Sequence, residues 1–155
     1  MKKYISIFFA LILFISCSKD DEPISQTFFV NAYYTYSDYA NYGNKIASPS
    51  MVMLYQDNDK VIDSTKINSF DPKLYDINGT ELSLKYTSTT TTGINTFENI
   101  PNGKYVVLVI YYPYTYVRYY SFKKITVNYN YRASTEKILF DCSKNSGYQS
   151  WKANN

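Results

Sequence analysis

Nineteen tyrosines and not one histidine set the chemical range of this 155-residue chain. Without histidine there is no Ser-His-Asp triad, no Cys-His pair and no imidazole metal site. The five glycines are scattered, so no glycine-rich loop stands ready to cradle phosphate. Two carboxylates could hydrolyse a glycoside if held across a cleft. However, Asp57, Asp59, Asp71, Asp76, Glu98, Glu136 and Asp141 fall mostly at predicted turns and strand ends, and no spacing pairs them. Asp57 and Asp59 suggest a calcium loop, but the glycine and later glutamate such a loop requires are missing, which leaves a solvated turn. No catalytic residue, metal site or cofactor is expected.

The tyrosines themselves are the better candidates. Tyr33, Tyr34, Tyr36, Tyr39 and Tyr42 form one cluster; Tyr111, Tyr112, Tyr114, Tyr116, Tyr119 and Tyr120 form another, interrupted by Pro113 and carrying Arg118. In an extended strand Tyr112, Tyr114, Tyr116 and Tyr120 share one face, and Tyr111 and Tyr119 the other. Tyrosine combines a large ring, few rotors and a polar tip, which suits recognition. The candidate surface is therefore Tyr112, Tyr114, Tyr116, Arg118 and Tyr120, with Tyr33 and Tyr36, and its partner a glycan or a protein. The competing reading is plain sheet packing, because aromatic residues are good strand formers. Pro113 cannot donate to a ladder, so Tyr111–Tyr116 is expected to be a bend or an edge.

These rings must be positioned by strands. Thr27 to Tyr36 places Phe28, Val30, Ala32 and Tyr34 on one face by period two. A loop from Ser37 to Ser50 follows, then the apolar Met51–Tyr55, a turn at 56–60 and an extended Val61–Ser64. Asn78-Gly79 marks a hairpin, since both residues tolerate positive φ. After it Leu82, Leu84 and Tyr86 are expected inside, with Glu81, Ser83 and Lys85 in water. A Pro101-Asn102-Gly103 turn leads into Val106–Ile110, apolar on both faces like a strand covered on both sides. Tyr116–Tyr120, Lys124–Tyr131 and Glu136–Asp141 read as further strands. Residues 143–155 read as a polar tail, in which Tyr148 and Trp151 are able to pack back. This amounts to seven to nine short strands and no helix after residue 16, an all-β domain of sandwich type.

The N-terminal segment reads differently. Met1-Lys2-Lys3 is basic, and Tyr4 to Ile15 is apolar except for Ser6. That run is too short to span a bilayer and has the order of a secretory signal. Phe14-Ile15-Ser16-Cys17 resembles the lipobox of bacterial lipoproteins, with Phe14 where leucine is usual. The resemblance implies removal of residues 1–16, lipid on Cys17, and membrane attachment through that lipid. Ser18-Lys19-Asp20-Asp21-Glu22 resembles the export signal by which some Gram-negative bacteria send lipoproteins to the outer face; the periplasmic face is the alternative. Residues 17–26 then act as a flexible tether and 27–142 as the domain.

Lys2 and Lys3 leave with the signal, so fourteen basic side chains remain against thirteen acidic ones, a net of +1. That is no nucleic-acid footprint. With Cys17 lipidated, Cys142 has no disulfide partner in the chain and is expected as a buried small hydrophobe.

Phe97-x-Asn99-Ile100-Pro101-x-Gly103-Lys104-Tyr105 resembles the prealbumin-like modules, which include transthyretin-like, carboxypeptidase-regulatory-like and collagen-adhesin B-type repeats. The resemblance spans residues 27–141 and implies a single Ig-like, antiparallel β-sandwich, here preceded by a signal-peptide helix. Adhesin repeats often carry an isopeptide bond, promoted by a glutamate in the strand after the turn. Leu108–Pro113 offers no acid, so none is expected. Asp63-Ser64-Thr65 also resembles a bacterial O-glycosylation site. The function expected from all this is a lipid-anchored, non-catalytic interaction module on the outer membrane, facing the cell exterior. The alternatives are a structural accessory of an outer-membrane complex and, last, a carboxylate hydrolase.

Overall fold

The computed structural model describes residues 27–128 and 133–154. The expected signal 1–16, the tether with Cys17, and Tyr129 and Tyr131 lie outside these residues. Nine strands run in order: β1 (Thr27–Thr35), β2 (Lys45–Ile46), β3 (Ser50–Gln56), β4 (Leu84–Thr90), β5 (Ile94–Glu98), β6 (Gly103–Tyr114), β7 (Val117–Val127), β8 (Ala133–Asp141) and β9 (Gly147–Tyr148). Among the described residues the one helical element is a 3-10 turn at Ser64–Lys66, which takes up only the last residue of the expected extended segment Val61–Ser64.

The strands form two sheets. In the first, β1 is central: β5 and β2 lie in succession along one edge and β8 along the other. The second has the order β4-β3-β6-β7-β9. Both sheets are mixed. β8 runs parallel to β1 along its whole length, and β9 runs parallel to β7, which departs from the wholly antiparallel arrangement expected. A parallel return needs a long connection, and the entire chain between β1 and β8 supplies it.

The alternation of β1 does what its period dictates. Phe28, Val30 and Ala32 are buried, and they meet Val52 and Leu54 of β3, Val107 and Val109 of β6, and Ile138 and Phe140 of β8 in one cluster between the sheets. Apart from Ala32, each such side chain contributes about 1.5–3 kcal/mol through burial. A buried polar bond crosses this layer: Asn95 Nδ2 of β5 donates to Ser50 Oγ of β3 at 3.1 Å.

β6 is buried on both faces, as its apolar run requires. The second cover is not a sheet but the irregular segment 57–83. Ile67, Leu74 and Leu82 from that segment pack on Val106, Leu108 and Ile110 with Met53 and Tyr55. Polar contacts pin the cover down. Lys124 Nζ lies 2.9 Å from Asp57 Oδ1, and Tyr55 Oη donates to the Pro72 carbonyl at 2.7 Å. Asp57 is therefore a buried, ion-paired carboxylate and not part of a solvated turn. The Asn78-Gly79 hairpin exists only as an isolated bridge, Tyr75 to Glu81, around a turn with Gly79 at φ +83°, and a second bridge ties its Asp76 to Ile62.

Two further expectations change. Leu84 is 45% exposed, because the register shifts beside Leu54/Tyr55 where β4 pairs with β3. β7 is one strand from Val117 to Val127 rather than two. The segment 143–154 is not a detached tail. It supplies β9, it accepts the Leu139 amide at the Lys152 carbonyl, and its Trp151 packs on the core with Lys123 over the ring.

Candidate binding surface

The tip of the β6–β7 hairpin is shaped by Pro113. The ladder loses its register between Tyr111 and Tyr114, closes again at Tyr114–Val117, and turns at Thr115-Tyr116. Proline offers no N–H to the partner strand, so the bulge falls where the sequence forces it. The consequence is exposure: Tyr114 is 68% and Tyr116 86% accessible. Below the tip the period of two is intact. Tyr111 and Tyr119 point into the core, while Tyr112 and Tyr120 lie on the outer face against the 57–83 cover.

Arg118 is the centre of this face. Its Nη1 donates to the Ser69 carbonyl at 2.6 Å, and its guanidinium carbon lies 4.1 Å from the Phe70 ring centroid and 5.7 Å from that of Tyr112. Stacking between rings suits a planar, weakly hydrated cation. Its Nε is buried without a partner. Tyr120 Oη donates to the Ile67 carbonyl at 3.3 Å, and its ring lies 6.1 Å from Tyr148 on β9. Two open grooves meet at Arg118. One, of about 570 Å³, is lined by Pro49, Tyr112, Pro113, Tyr114 and Thr115. The other, of about 360 Å³, is lined by the 67–70 loop, Tyr116, Tyr120, Ser146 and Gly147.

Five of the seven sequence candidates thus come together: Tyr112, Tyr114, Tyr116, Arg118 and Tyr120. Tyr36 belongs to a neighbouring cluster, T-shaped against Tyr42 at 4.9 Å and Tyr34 at 6.1 Å. Burial raises its phenol pKa, and the stacking of Tyr34 on Tyr111 at 5.2 Å places that cluster below the tip. Tyr33 is half-buried on the opposite face of β1 from Tyr34, between Ile46 of β2 and Leu139 of β8, and takes no part. Phe70 and Ser69 were not singled out from the sequence. Their signal is slight: an aromatic ring in the polar run Asn68-Ser69-Phe70-Asp71.

The first cluster continues the core. Tyr34 stacks on Tyr111 at 5.2 Å, and Tyr111 on Tyr119 and Phe140 at 6.1 Å each. Its hydrogen bond with Tyr42, then burial, pushes the Tyr34 phenol up to about 12. Burial does the same for Tyr119, to about 12, and raises Tyr111 as well.

The carboxylates show the opposite tendency to that of a general acid. Lys104 holds Asp59, Thr65 holds Asp63 and Lys60 holds Asp76 below the ordinary carboxyl range. Glu81 pairs with Lys73, and Glu136 with Lys123. Among the described residues no three His, Cys, Asp or Glu side chains gather as metal ligands. In the Asp63-Ser64-Thr65 triplet, the aspartate accepts both the backbone amide and the hydroxyl of Thr65, at 3.0 and 2.6 Å.

No family model matches the chain, and no curated protein matches it. Among solved structures it is similar to a Pseudomonas aeruginosa protein described as a "putative carbohydrate binding protein", at 18% identity and a TM-score of 0.40, over 76% of this chain and 88% of that one. What the tyrosine surface does is therefore read from its own geometry.

Proposed function

We propose that this chain is a non-catalytic recognition module whose working surface is the β6–β7 tip, and that its ligand is a saccharide. The carrying observation is that Tyr114 and Tyr116 stand 68% and 86% exposed at the mouths of grooves floored by Tyr112, Tyr120 and Arg118. Contiguous aromatic rings left in water mark interaction sites more often than they serve the fold. A flat ring flanked by hydroxyl and carbonyl groups suits a sugar, which presents an apolar face and a polar rim.

The same reading extends to the envelope. The lipobox-like Phe14–Cys17 supports lipid attachment at Cys17, and Lys19-Asp20-Asp21-Glu22 supports display on the outer face. The Phe97–Tyr105 segment, and sheets that share one core, support a prealbumin-like sandwich. The strand order adds a geometric argument. β1 starts at Thr27 beside Glu98 of β5, whereas its other end carries Tyr34, stacked on Tyr111 below the tip. Nine strand residues at about 3.3 Å each separate the tethered end from the recognition end. An anchor at residue 17 would therefore enter the domain at the end of β1 remote from the tip.

The test is a calorimetric screen of the full chain, purified in detergent, against neutral and acidic oligosaccharides. Tyr116→Ala should weaken a hit by about tenfold, some 1.4 kcal/mol. Its effect on stability should stay within about 0.5 kcal/mol, as for an exposed site. A saccharide hit indifferent to both Tyr114→Ala and Tyr116→Ala would refute the assignment of the surface. Protease shaving of intact cells, with Cys17→Ala as control, tests the outer-face location.

A further inference from the structure

Arg118 is the least neutralised charge on the recognition surface. Seven lysines of the described residues are in ion pairs with carboxylates, at Asp76, Asp63, Glu81, Asp59, Glu136, Asp57 and Asp141. Arg118 pairs with none of the described carboxylates. Its described hydrogen bond goes to a neutral backbone carbonyl, Ser69 O, and Nε is enclosed with no acceptor. Asp71, next to Phe70, acts on Lys73, whose affinity for its proton is raised first by Glu81 and then by Asp71. A guanidinium pressed between Phe70 and Tyr112 is thus fixed in position, partly stripped of water and left without a counter-charge. That is an incomplete arrangement within the protein and a complete one once an anion enters the groove. Arginine presents its donors in a planar fork that matches a carboxylate or a sulfate.

We infer that the saccharide bound at the β6–β7 tip is acidic, carrying a carboxylate or sulfate that takes Arg118 as its partner while the sugar rings lie on Tyr114 and Tyr116. This rests on the saccharide reading above and makes it more specific. Phe70 and Ser69 are positioning residues here: they hold the guanidinium at the junction of the two grooves, so a ligand in either one can reach its charge.

The experiment compares matched ligands on the full chain in detergent. Oligogalacturonate is measured against its methyl ester, and chondroitin sulfate oligosaccharide against the chemically desulfated form. The expected result is at least tenfold tighter binding of the charged member of one pair, with an advantage that shrinks from 50 to 500 mM NaCl. Which pair responds distinguishes carboxylate from sulfate. In Arg118→Gln the charged and neutral members should bind alike, the advantage of the charge and its salt dependence both being lost. Equal binding of charged and neutral members overturns the inference and leaves the saccharide reading standing. So does an Arg118→Gln loss that is the same for both members, which would make Arg118 a mere brace. Binding of no saccharide at all removes the recognition reading itself. The ester comparison and the salt series use the unaltered protein, so they decide the matter even if the variant does not fold.

Discussion

Asp76 and Lys60 meet at 2.7 Å, with the aspartate side chain buried and the lysine reaching it from the surface. The same carboxylate accepts the amides of Asn78 and Thr80 at 3.0 and 2.7 Å. It therefore closes the turn that carries Leu74 and Leu82 down onto β6. Its pKa lies below the ordinary 3.8, chiefly through the Lys60 hydrogen bond and then the Thr80 amide. A lowered folded value means that this contribution to stability is complete above about pH 4 and is lost as pH falls through the folded pKa. Asp76→Asn should lower Tm at pH 7 and flatten the acid limb of a Tm-against-pH curve below pH 4. An unchanged acid limb would mean that other carboxylates govern acid unfolding.

The 57–83 cover should behave as core. Leu74 is fully buried against the outer face of the second sheet, and Leu84 is exposed. Leu74→Ala should cost about 2–5 kcal/mol by urea denaturation, and Leu84→Ala within about 0.5 kcal/mol. Similar values for the two would show that the cover is only loosely applied.

Gly93 is irreplaceable by its surroundings. It sits at φ +74° in the β4–β5 turn, and a Cβ there would run into Ile46 Cγ2 and meet the Ala47 carbonyl oxygen at 2.9 Å. The positive φ and the Ala47 backbone contact act together, so Gly93→Ala should destabilise by more than about 1 kcal/mol. Gly43→Ala, also at positive φ but in open space, should cost less. Thermal melts of the two variants side by side test the order.

Alkaline stability should be set by the stacked tyrosines. The folded pKa values of Tyr34 and Tyr119, about 12, lie above the unfolded value near 10. Folding therefore favours their neutral forms. That contribution is whole below pH 10 and disappears as pH rises through about 12. Absorbance at 295 nm should show a late group of tyrosines ionising together with loss of near-ultraviolet dichroism. Tyr34→Phe should extend the folded range to higher pH.

Cys142 should be a quiet thiol. Burial pushes it from 9.0 up to about 11, against a lowering hydrogen bond with Tyr119. Two units mean about a hundred-fold less thiolate at pH 8. In a Cys17→Ala background, a maleimide should label the native protein at least tens of times more slowly than the urea-unfolded chain. Rapid labelling of the native protein would mark Cys142 as reactive.

The sequence shows these features unevenly, for physical reasons. The strand faces are legible because a period of two is a local property: Phe28, Val30 and Ala32 declare their side without knowing their partner. Strand direction is not local, so the parallel pairing of β8 on β1 leaves no mark in either segment. The double burial of Val106–Ile110 is legible, yet its second cover is not, because Ile67, Leu74 and Leu82 are spaced irregularly in a polar, turn-rich stretch. On the surface, Pro113 and the dense tyrosines announce the tip, and the alternation places Tyr112 and Tyr120 together. Phe70 comes from some fifty residues upstream and joins them only through the tertiary fold. Tyr33 shows the limit of clustering by sequence, since its immediate neighbour Tyr34 faces the opposite side.

The parallel grip of β8 on β1 has a mechanical meaning. A pull applied at Thr27 and resisted at the Tyr114–Val117 tip would run along the β1 axis. All the bonds that join Thr27–Thr35 to Ala133–Asp141 would then carry the load together, in shear, instead of unzipping one at a time. Rupture under such loading follows the unfolding barrier and not the equilibrium stability. A domain of ordinary thermal stability built this way would hold under tension from its two working ends, and would yield much sooner if peeled from Asp141.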